Sequence, residues 1–217
     1  MRTKLGRHWL VLLLGILACT VAADDGRPTY LLLYAFDAEG EAIGSRMTVT
    51  RTDTFSGRTV RSGTVSNQSV ILAESGVGMT NAAMTTQRLI DQFHPSAVIF
   101  TGIAGAIDSA VQIGDIVVAS SWVQHDYGYI GDDGFKLGGV RTYCSDRDSI
   151  ARVMFFPVDS VLLEAAHKVV RAGVTLDSIG GRIPKISVGG AGASGNTFID
   201  SKEKRQWLSD SLGARIV

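Results

Sequence analysis

Three continuous apolar runs along the chain predict strands that are buried on both faces. They cover residues 30–36, 97–100 and 115–119. Between the first two runs, apolar and small residues recur at three- and four-residue spacing over residues 79–93, which is typical of a helix packed on one side. His94-Pro95 is expected to end this helix, because proline cannot continue it. Strands that alternate with helices indicate a single α/β domain.

The remaining pattern adds elements in both halves of the chain. Residues 47–55, 58–65 and 69–75 alternate or run apolar between turn residues, which predicts an antiparallel meander. A polar, glycine-rich loop is expected from residue 129 to about residue 150. Beyond it the pattern predicts a helix over residues 157–172 with Pro157 in its first turn, a strand over 183–188, a helix over 201–212 with Ser201 as N-cap, and a strand over 213–217.

Two clusters of small residues follow predicted buried strands. Residues 101–106 read Thr-Gly-Ile-Ala-Gly-Ala, and residues 189–195 contain four glycines. Small residues at the carboxyl end of a strand let the backbone approach a ligand, and ligands of open α/β sheets bind at that edge. Tight packing of a strand against a helix fits the same pattern, so the residues alone leave both interpretations open.

The charge balance favours a small neutral ligand. The 217-residue chain contains 21 Lys plus Arg and 21 Asp plus Glu, so its formal net charge is zero. This balance gives no support to nucleic acid or an anionic membrane surface as a partner. Hydrophobic residues make up 45% of the chain and aromatic residues only 7%, which indicates an aliphatic core.

The first 23 residues have the organisation of a secretory signal peptide. Basic residues precede an apolar run over residues 9–18 that is too short to span a membrane, and Val21-Ala22-Ala23 offers a cleavage site. We therefore expect residues 1–23 to be removed and the protein to be periplasmic or secreted. Residues 16–19 also resemble a lipoprotein box, although Leu17 is bulky for one, so lipid attachment at Cys19 ranks second. Cleavage leaves Cys144, in the predicted polar loop, as the only cysteine, and no intramolecular disulfide can form.

Five short motifs follow one another along the chain: Asp37-Ala38-Glu39, Ser75-Gly76-Val77-Gly78, Thr101-Gly102-Ile103-Ala104-Gly105, Gly114-Asp115-Ile116-Val117-Val118 and Ser194-Gly195-Asn196-Thr197-Phe198-Ile199. Each is weak alone, but their order and spacing together resemble the nucleoside phosphorylase superfamily. The closest resemblance is to its 5′-methylthioadenosine/S-adenosylhomocysteine nucleosidases, and it covers residues 30–217. It implies a three-layer α/β/α sandwich around a central mixed β-sheet, assembled as a homodimer or higher homo-oligomer.

The resemblance assigns roles to five residues. Glu39 matches the glutamate that activates the attacking water. Gly105 matches a glycine whose backbone lies against the substrate, and Val77 matches an apolar position of the same pocket. Phe198 and Ile199 match the pair at the purine, where an aromatic face stacks on the base and main-chain groups read its edge. Without the resemblance, Glu39 is more simply a solvated loop carboxylate and Phe198 an ordinary core aromatic.

The expected reaction is hydrolysis of the N-glycosidic bond of 5′-methylthioadenosine/S-adenosylhomocysteine-type nucleosides. A carboxylate beside the anomeric carbon can orient water and stabilise an oxocarbenium-like transition state. Phosphorolysis needs cationic groups that hold phosphate, and residues 75–78 and 101–108 contain no Arg or Lys. A phosphate-dependent nucleoside phosphorylase and a non-catalytic nucleoside-binding protein are the alternatives.

We expect neither a cofactor nor a metal ion. The pair His125-Asp126 suggests a catalytic dyad or part of a metal site, but no third ligand occurs at a suitable spacing. A structural hydrogen bond is therefore the preferred interpretation of this pair. His94 and His167 are expected on helix surfaces.

Departures from the family pattern concern the substrate and the leaving group. Ile103 stands where the nucleosidases commonly have Ser, and Asn196 stands where they commonly have Asp. Both changes leave the substrate open. The family's acidic-Met-Glu motif, whose glutamate binds the ribose hydroxyls, and a later aspartate that protonates the purine N7 fall beyond Val217. We therefore expect the domain, residues 24–217, to be incomplete at its C-terminus.

Overall fold

A mixed five-stranded sheet forms the first half of the molecule. The computed structural model describes residues 29–217, so the predicted signal peptide and Cys19 lie outside the described residues. The strands of this sheet are β1 (Thr29–Tyr34), β2 (Thr48–Phe55), β3 (Arg58–Val65), β4 (Gln68–Glu74) and β5 (Ala97–Phe100). Their order is β2-β3-β4-β1-β5, with β1 parallel to β4 and β5. Strands β2, β3 and β4 run antiparallel in turn, which confirms the predicted meander.

Helices cover both faces of this sheet, because successive strand residues point to opposite sides. On one face, Tyr34 and Leu72 pack with Ile43 of helix α1 (Asp37–Gly44). On the other, Leu31 and Leu33 share a core cluster with Leu89 of helix α2 (Met79–Phe93), whose predicted bounds are confirmed. Helix, sheet and helix form the three layers of the sandwich, so the predicted fold class is confirmed.

Helix α1 replaces the loop that the sequence suggests around Glu39. Its eight residues are too few to show a helical period, which is why the pattern misses it. Asp37 and Glu39 lie in the first turn, where negative charge interacts favourably with the helix dipole. Gly40 allows close packing on β1, since an added Cβ would lie 2.5 Å from Cζ of the Tyr34 ring.

Shorter strands build the second half of the described chain, together with helices α3 (Ser160–Arg171) and α4 (Lys202–Leu212). The strands are β6 (Ile116–Val118), β7 (Ser121–Gln124), β8 (Gly128–Gly131), β9 (Gly134–Leu137), β10 (Val140–Cys144), β11 (Ser149–Val153), β12 (Phe155–Pro157), β13 (Ile186–Val188), β14 (Ala191–Ser194) and β15 (Ala214–Ile216). A four-stranded sheet has the order β12-β7-β14-β15, and β13 pairs with β6. Leu208 of α4 closes its core over Val123, Ala193 and Ala214. Within residues 29–217, no helix is both long and apolar enough to cross a membrane.

The prediction of a polar loop up to residue 150 is wrong. Two antiparallel hairpins occupy this stretch, β8 with β9 and β10 with β11. The turn of the first hairpin ends at Gly134, which has a φ of 94°. Glycine adopts this conformation without strain because it has no Cβ. Apart from Cys144, none of the residues in these four strands is buried, so no apolar alternation marks them. Cys144 ends β10 and is buried, which also corrects its predicted position in a loop.

Two further boundaries differ from the prediction. Pro157 ends β12, and α3 begins later, after Asp159, whose carboxylate accepts hydrogen bonds from the N–H groups of Val161 and Leu162. Residues 191–194, part of the small-residue cluster expected beside a pocket, form strand β14 between β7 and β15. The small residues there serve packing, since the Trp122 ring lies directly on Gly192. The helix capped by Ser201 and the strand after it are confirmed as α4 and β15.

Candidate functional site

Three parallel strands end at the same edge of the first sheet. Tyr34 of β1 is in register with Glu74 of β4, and Leu33 is in register with Phe100 of β5. The segments that follow these strands are α1, residues 75–78 and residues 101–105. Their common edge is therefore the place where an open α/β sheet would bind a ligand.

Main-chain groups fix the carboxylate of Glu39 at this edge. Its Oε2 accepts a hydrogen bond from the Ala35 N–H at 2.7 Å, and its Oε1 accepts one from the Ile103 N–H at 2.8 Å. A Cβ at Gly102 would lie 2.7 Å from Oε1, so a glycine is needed beside the carboxylate. A carboxylate has about four lone-pair sites, which leaves acceptors for a water molecule. The interpretation of Glu39 as a solvated loop residue is wrong, because the side chain is half-buried in α1 and held at both oxygens.

Val77 lies exposed at the same edge, between β4 and α2. Val77 is 68% exposed, whereas Ser75 is fully buried and donates its main-chain N–H to the Tyr34 carbonyl. The structure also brings Arg58 of β3 against Gly76, although the segment itself contains no basic residue. Arg58 pairs with Glu74 at 2.9 Å. The positive charge that reaches this segment is therefore neutralised within the protein.

Gly105 joins the two halves of the molecule. Its N–H donates to the Val217 carbonyl at 2.7 Å, and the Val217 N–H donates to the Gly105 carbonyl at 2.9 Å. Because this pairing uses the Gly105 N–H, a ligand that lies on Gly105 would meet its Cα. The pairing also sets the C-terminal end of β15 beside the 101–105 segment.

Phe198 and Ile199 follow β14 and differ in their surroundings. Phe198 is 93% exposed, so its alternative interpretation as a core aromatic is wrong. Ile199 packs its side chain against the core around Val123 and Leu208. The exposed Phe198 ring is therefore free to stack on a planar ligand. Because the Ile199 side chain is in the core, only its main-chain groups can contact such a ligand.

The two residues of the His125-Asp126 pair have different surroundings: His125 is buried in the core, and Asp126 accepts hydrogen bonds. His125 is 1% exposed, and neither ring nitrogen has a hydrogen-bond partner among the described residues. Burial lowers the pKa of His125, against the opposing charge of Asp126, which keeps the ring neutral at pH 7. Asp126 accepts hydrogen bonds from the Asn196 N–H at 2.6 Å and from Gln124 Nε2 at 3.1 Å. The predicted structural hydrogen bond is thus made by Asp126 and not by the His125 ring.

Metal-ligating side chains do not gather in the described part of the chain. Within residues 29–217, no three His, Cys, Asp or Glu side chains lie close enough together to hold a metal ion. The surface positions predicted for the other histidines hold for His94, which is exposed, while His167 is half-buried on α3.

Asn196 makes a long-range contact that the sequence pattern does not predict. Its Oδ1 accepts a hydrogen bond from the Met79 N–H at 3.1 Å, across 117 residues of chain. The contact brings the segment that carries Val77 next to the segment that carries Phe198. Nothing in the local pattern around Asn196 reveals its partner, because no period or turn signal connects positions so far apart.

Comparisons with known proteins find relatives for most of this chain. The sequence model of the Phosphorylase superfamily matches residues 29–217. A 5′-methylthioadenosine/S-adenosylhomocysteine nucleosidase of Marinomonas sp. is 36% identical over 124 residues, which are 55% of this chain and 53% of the relative. A Mycobacterium bovis protein of the same name is 30% identical over 165 residues, or 72% of this chain and 62% of the relative. The matched part of the chain thus spans only about half to 62% of these relatives.

Solved structures resemble the fold over most of the chain. A futalosine hydrolase mutant of Helicobacter pylori has a TM-score of 0.70 and 25% identity, covering 88% of this chain and 78% of its own. A mutant nucleosidase of the same species, solved with 5′-methylthioadenosine in its active site, has a TM-score of 0.69 and 25% identity, covering 88% and 74%. A Neisseria meningitidis nucleosidase in complex with methylthio-immucillin-A has a TM-score of 0.70 at 25% identity, covering 88% and 74%.

Proposed function

This chain belongs to the Phosphorylase superfamily, and on that premise we propose that it hydrolyses the N-glycosidic bond of 5′-methylthioadenosine/S-adenosylhomocysteine-type nucleosides. The observation that carries the proposal is the carboxylate of Glu39, held by two main-chain N–H groups at the edge where the parallel strands end. The relatives described above bear the names of nucleosidases, which supports the same substrate class.

Glu39 would act on a water molecule beside the anomeric carbon. The carboxylate accepts a proton as the water oxygen bonds to that carbon, and the electron pair of the glycosidic bond leaves with the base. Its negative charge also stabilises the oxocarbenium character of the sugar in the transition state. The departing base takes up a proton from solvent and Glu39 later returns its proton to solvent, so that overall the hydroxyl of one water ends on the sugar and one proton on the released base.

The base would be held by the segment after β14. The exposed ring of Phe198 offers a face on which the base can stack. The main chain of Ile199 offers hydrogen-bonding groups whose position is fixed because the Ile199 side chain is anchored in the core. Val77 would contribute an apolar wall, and Gly105 a surface without a side chain. These roles follow the family pattern and are part of the proposal.

Water is favoured over phosphate as the nucleophile because the segments that form the site carry no cationic side chain of their own. Residues 75–78 and 101–108 contain no Arg or Lys. Arg58, which reaches Gly76, is paired with Glu74. The Glu39 carboxylate would moreover repel a phosphate dianion, and such an anion needs cationic or oriented N–H donors.

The test is the release of adenine from 5′-methylthioadenosine by the purified protein in phosphate-free buffer, followed by chromatography. We expect adenine and the free methylthio sugar, at a rate that added phosphate does not raise. Strict dependence on phosphate, with a sugar 1-phosphate as product, would establish the phosphorylase alternative. Saturable binding of the nucleoside without any turnover would establish a non-catalytic binding protein.

Export is a further part of the proposal and concerns residues outside the described range. The signal-peptide pattern of residues 1–23 supports a periplasmic or secreted protein. Mass spectrometry of the mature N-terminus is expected to find Asp24 as the first residue. A diacylated Cys19 at the N-terminus would instead establish lipoprotein anchoring, the second interpretation.

A homo-oligomer, dimeric or larger, is also proposed. Apolar side chains remain exposed on hairpin β8–β9 and on α3, among them Ile130 and Val161. Exposed apolar patches of this kind often mark association surfaces. Light scattering of the purified protein is expected to give at least twice the chain mass, and a monomer at micromolar concentration would refute this part.

A further inference from the structure

Helix α2 begins without a cap of its own. The N-cap position is Gly78, with a φ of 90°, and it has no side chain that could accept a hydrogen bond. The first N–H groups of a helix have no partner within the helix, and Asn and Asp are among the best residues for satisfying one of them. Here Asn196 supplies that acceptor from a distant segment, through its Oδ1 and the Met79 N–H.

Asp126 holds Asn196 in place for this contact. Its Oδ2 accepts the Asn196 main-chain N–H at 2.6 Å, so the amide side chain of Asn196 stays free to cap α2. The other carboxylate oxygen accepts from Gln124 Nε2. Gln124 is in turn fixed by the pairing of β7 with β14, in which it is opposite Ser194.

The residues around Asp126 are closely packed. His125 donates its main-chain N–H to Ser194 O, and its buried ring presses on Gly195, where an added Cβ would lie 2.6 Å from Nε2 and 2.7 Å from Asp126 Oδ2. Lys204 of α4 is near enough for its charge to interact with that of Asp126, and its ammonium lies over the Trp207 ring at 3.8 Å. Asp126 is therefore held beside the β7–β14 strand pair by its own hydrogen bonds.

We propose that Asp126 is a positioning residue that acts through Asn196 on both walls of the base pocket. The Asp126–Asn196–Met79 relay sets the segment that carries Phe198 against the first turn of α2, directly after Val77. The inference rests on the proposed function for its effect on substrate. The relay does not touch the groups that hold Glu39, which are the N–H groups of Ala35 and Ile103.

This separation predicts a specific kinetic pattern. Loss of the relay is expected to loosen the base pocket without moving Glu39, which raises KM and leaves kcat unchanged, since the lost contacts serve ground state and transition state alike. A rise in KM of about tenfold is expected for partial loss of stacking on the base.

The experiment compares Asn196→Ala and Asp126→Ala with their conservative counterparts. Amide hydrogen exchange at Met79 is measured first, without any nucleoside, and is expected to become at least about fivefold faster in both alanine variants. Asn196→Asp keeps an acceptor for the Met79 N–H, and Asp126→Asn keeps one for the Asn196 N–H, so both are expected to exchange like the wild type. Turnover of 5′-methylthioadenosine is then expected to show the higher KM only in the alanine variants, with kcat within about threefold.

The matched control is Asp91→Asn on the exposed surface of α2. Asp91 accepts a hydrogen bond from Gln87 Nε2 at 2.9 Å, the same chemistry as the Gln124–Asp126 pair but remote from the first turn. It is expected to change neither exchange nor kinetics. Unchanged exchange at Met79 in Asn196→Ala overturns the relay, as does a fall in kcat at unchanged KM. A wild-type protein that turns over no nucleoside overturns the proposed function instead, whereas the exchange measurement still decides the relay.

Discussion

Glu39 owes its position to the backbone rather than to other side chains. Both carboxylate oxygens accept main-chain N–H groups, one from the end of β1 and one from the segment after β5. The side chain is thus fixed by the pairing of two parallel strands. A water molecule bound to this carboxylate would be held in a fixed position relative to the substrate, and such orientation of the reacting groups lowers the barrier.

Replacing Glu39 by Gln is expected to remove turnover and spare binding. The amide cannot take a proton from water, so kcat should fall by about 10²–10⁴-fold, the usual contribution of a general base. Glu41→Gln, in the same helix but exposed, serves as the control. Adenine release measures turnover, and calorimetry with the nucleoside measures binding. Turnover of the Glu39→Gln variant at the wild-type rate would refute the assignment of Glu39.

Gly102→Ala is expected to impair catalysis by displacing the same carboxylate. The added methyl would lie 2.7 Å from Oε1 and 2.9 Å from Cδ of Glu39, so the carboxylate must shift and its hydrogen bonds to Ala35 and Ile103 are strained. A displacement of about 1 Å typically costs about 10²-fold in rate. Gly138→Ala is the matched control, because its nearest contact, at 3.5 Å, is an ordinary one. Equal kcat values for the two variants would show that the Glu39 contact is not critical.

Helix starts in this chain are capped in different ways. Asp159 caps α3 and Ser201 caps α4 from within their own segments, whereas α2 takes its cap from Asn196. A local cap can be recognised in the sequence, because the capping residue directly precedes the helix. A cap taken from another part of the chain leaves no such trace.

Asp159→Ala is expected to destabilise the protein through α3 alone. The carboxylate accepts two N–H groups at 2.9 Å, and loss of such a cap costs about 1 kcal/mol. Helix α3 has no buried residue that could compensate. Urea unfolding measures the free energy of unfolding, with Asp177→Ala in an exposed loop as the control for the lost charge. Equal unfolding free energies for the two variants would contradict the cap.

Specific hydrogen bonds connect the two halves of the molecule. Gly105 pairs with Val217, and Asn196 caps α2. Next to the second contact, His125 is buried with neither ring nitrogen paired among the described residues. A neutral ring can remain there, but a charged one would lack both water and a hydrogen-bond acceptor.

Stability is therefore expected to fall as the solution becomes mildly acidic. Burial lowers the pKa of His125 below its unfolded value of about 6.5. Between the two pKa values, His125 is therefore protonated in the unfolded chain and neutral in the folded chain. The stabilisation is fully present above that unfolded pKa and is lost as the pH falls toward the folded pKa. Melting temperatures between about pH 7.5 and pH 5.5 should drop less steeply in His125→Gln than in the wild type. His167→Gln on α3 should keep the wild-type slope, and an equally steep drop in His125→Gln would exclude this source of pH dependence.

The sequence by itself determined the elements with a clear local signal. Strands β1 and β5, the meander β2–β4, helix α2 and helix α4 all follow from apolar runs, spacing and local caps. The family motifs also named Glu39 and Phe198 from local residue order. The same rules missed α1, which is too short for a period, and the hairpins β8–β9 and β10–β11, whose side chains are mostly exposed.

Only the tertiary structure decided how these residues work together. Glu39 meets Ile103 across 64 residues, and Met79 meets Asn196 across 117. Both contacts depend on strand order and register, which place distant segments at one sheet edge. A local pattern records the preference of a segment for helix or strand. It carries no information on which backbone N–H group a side chain will meet once the sheets have assembled.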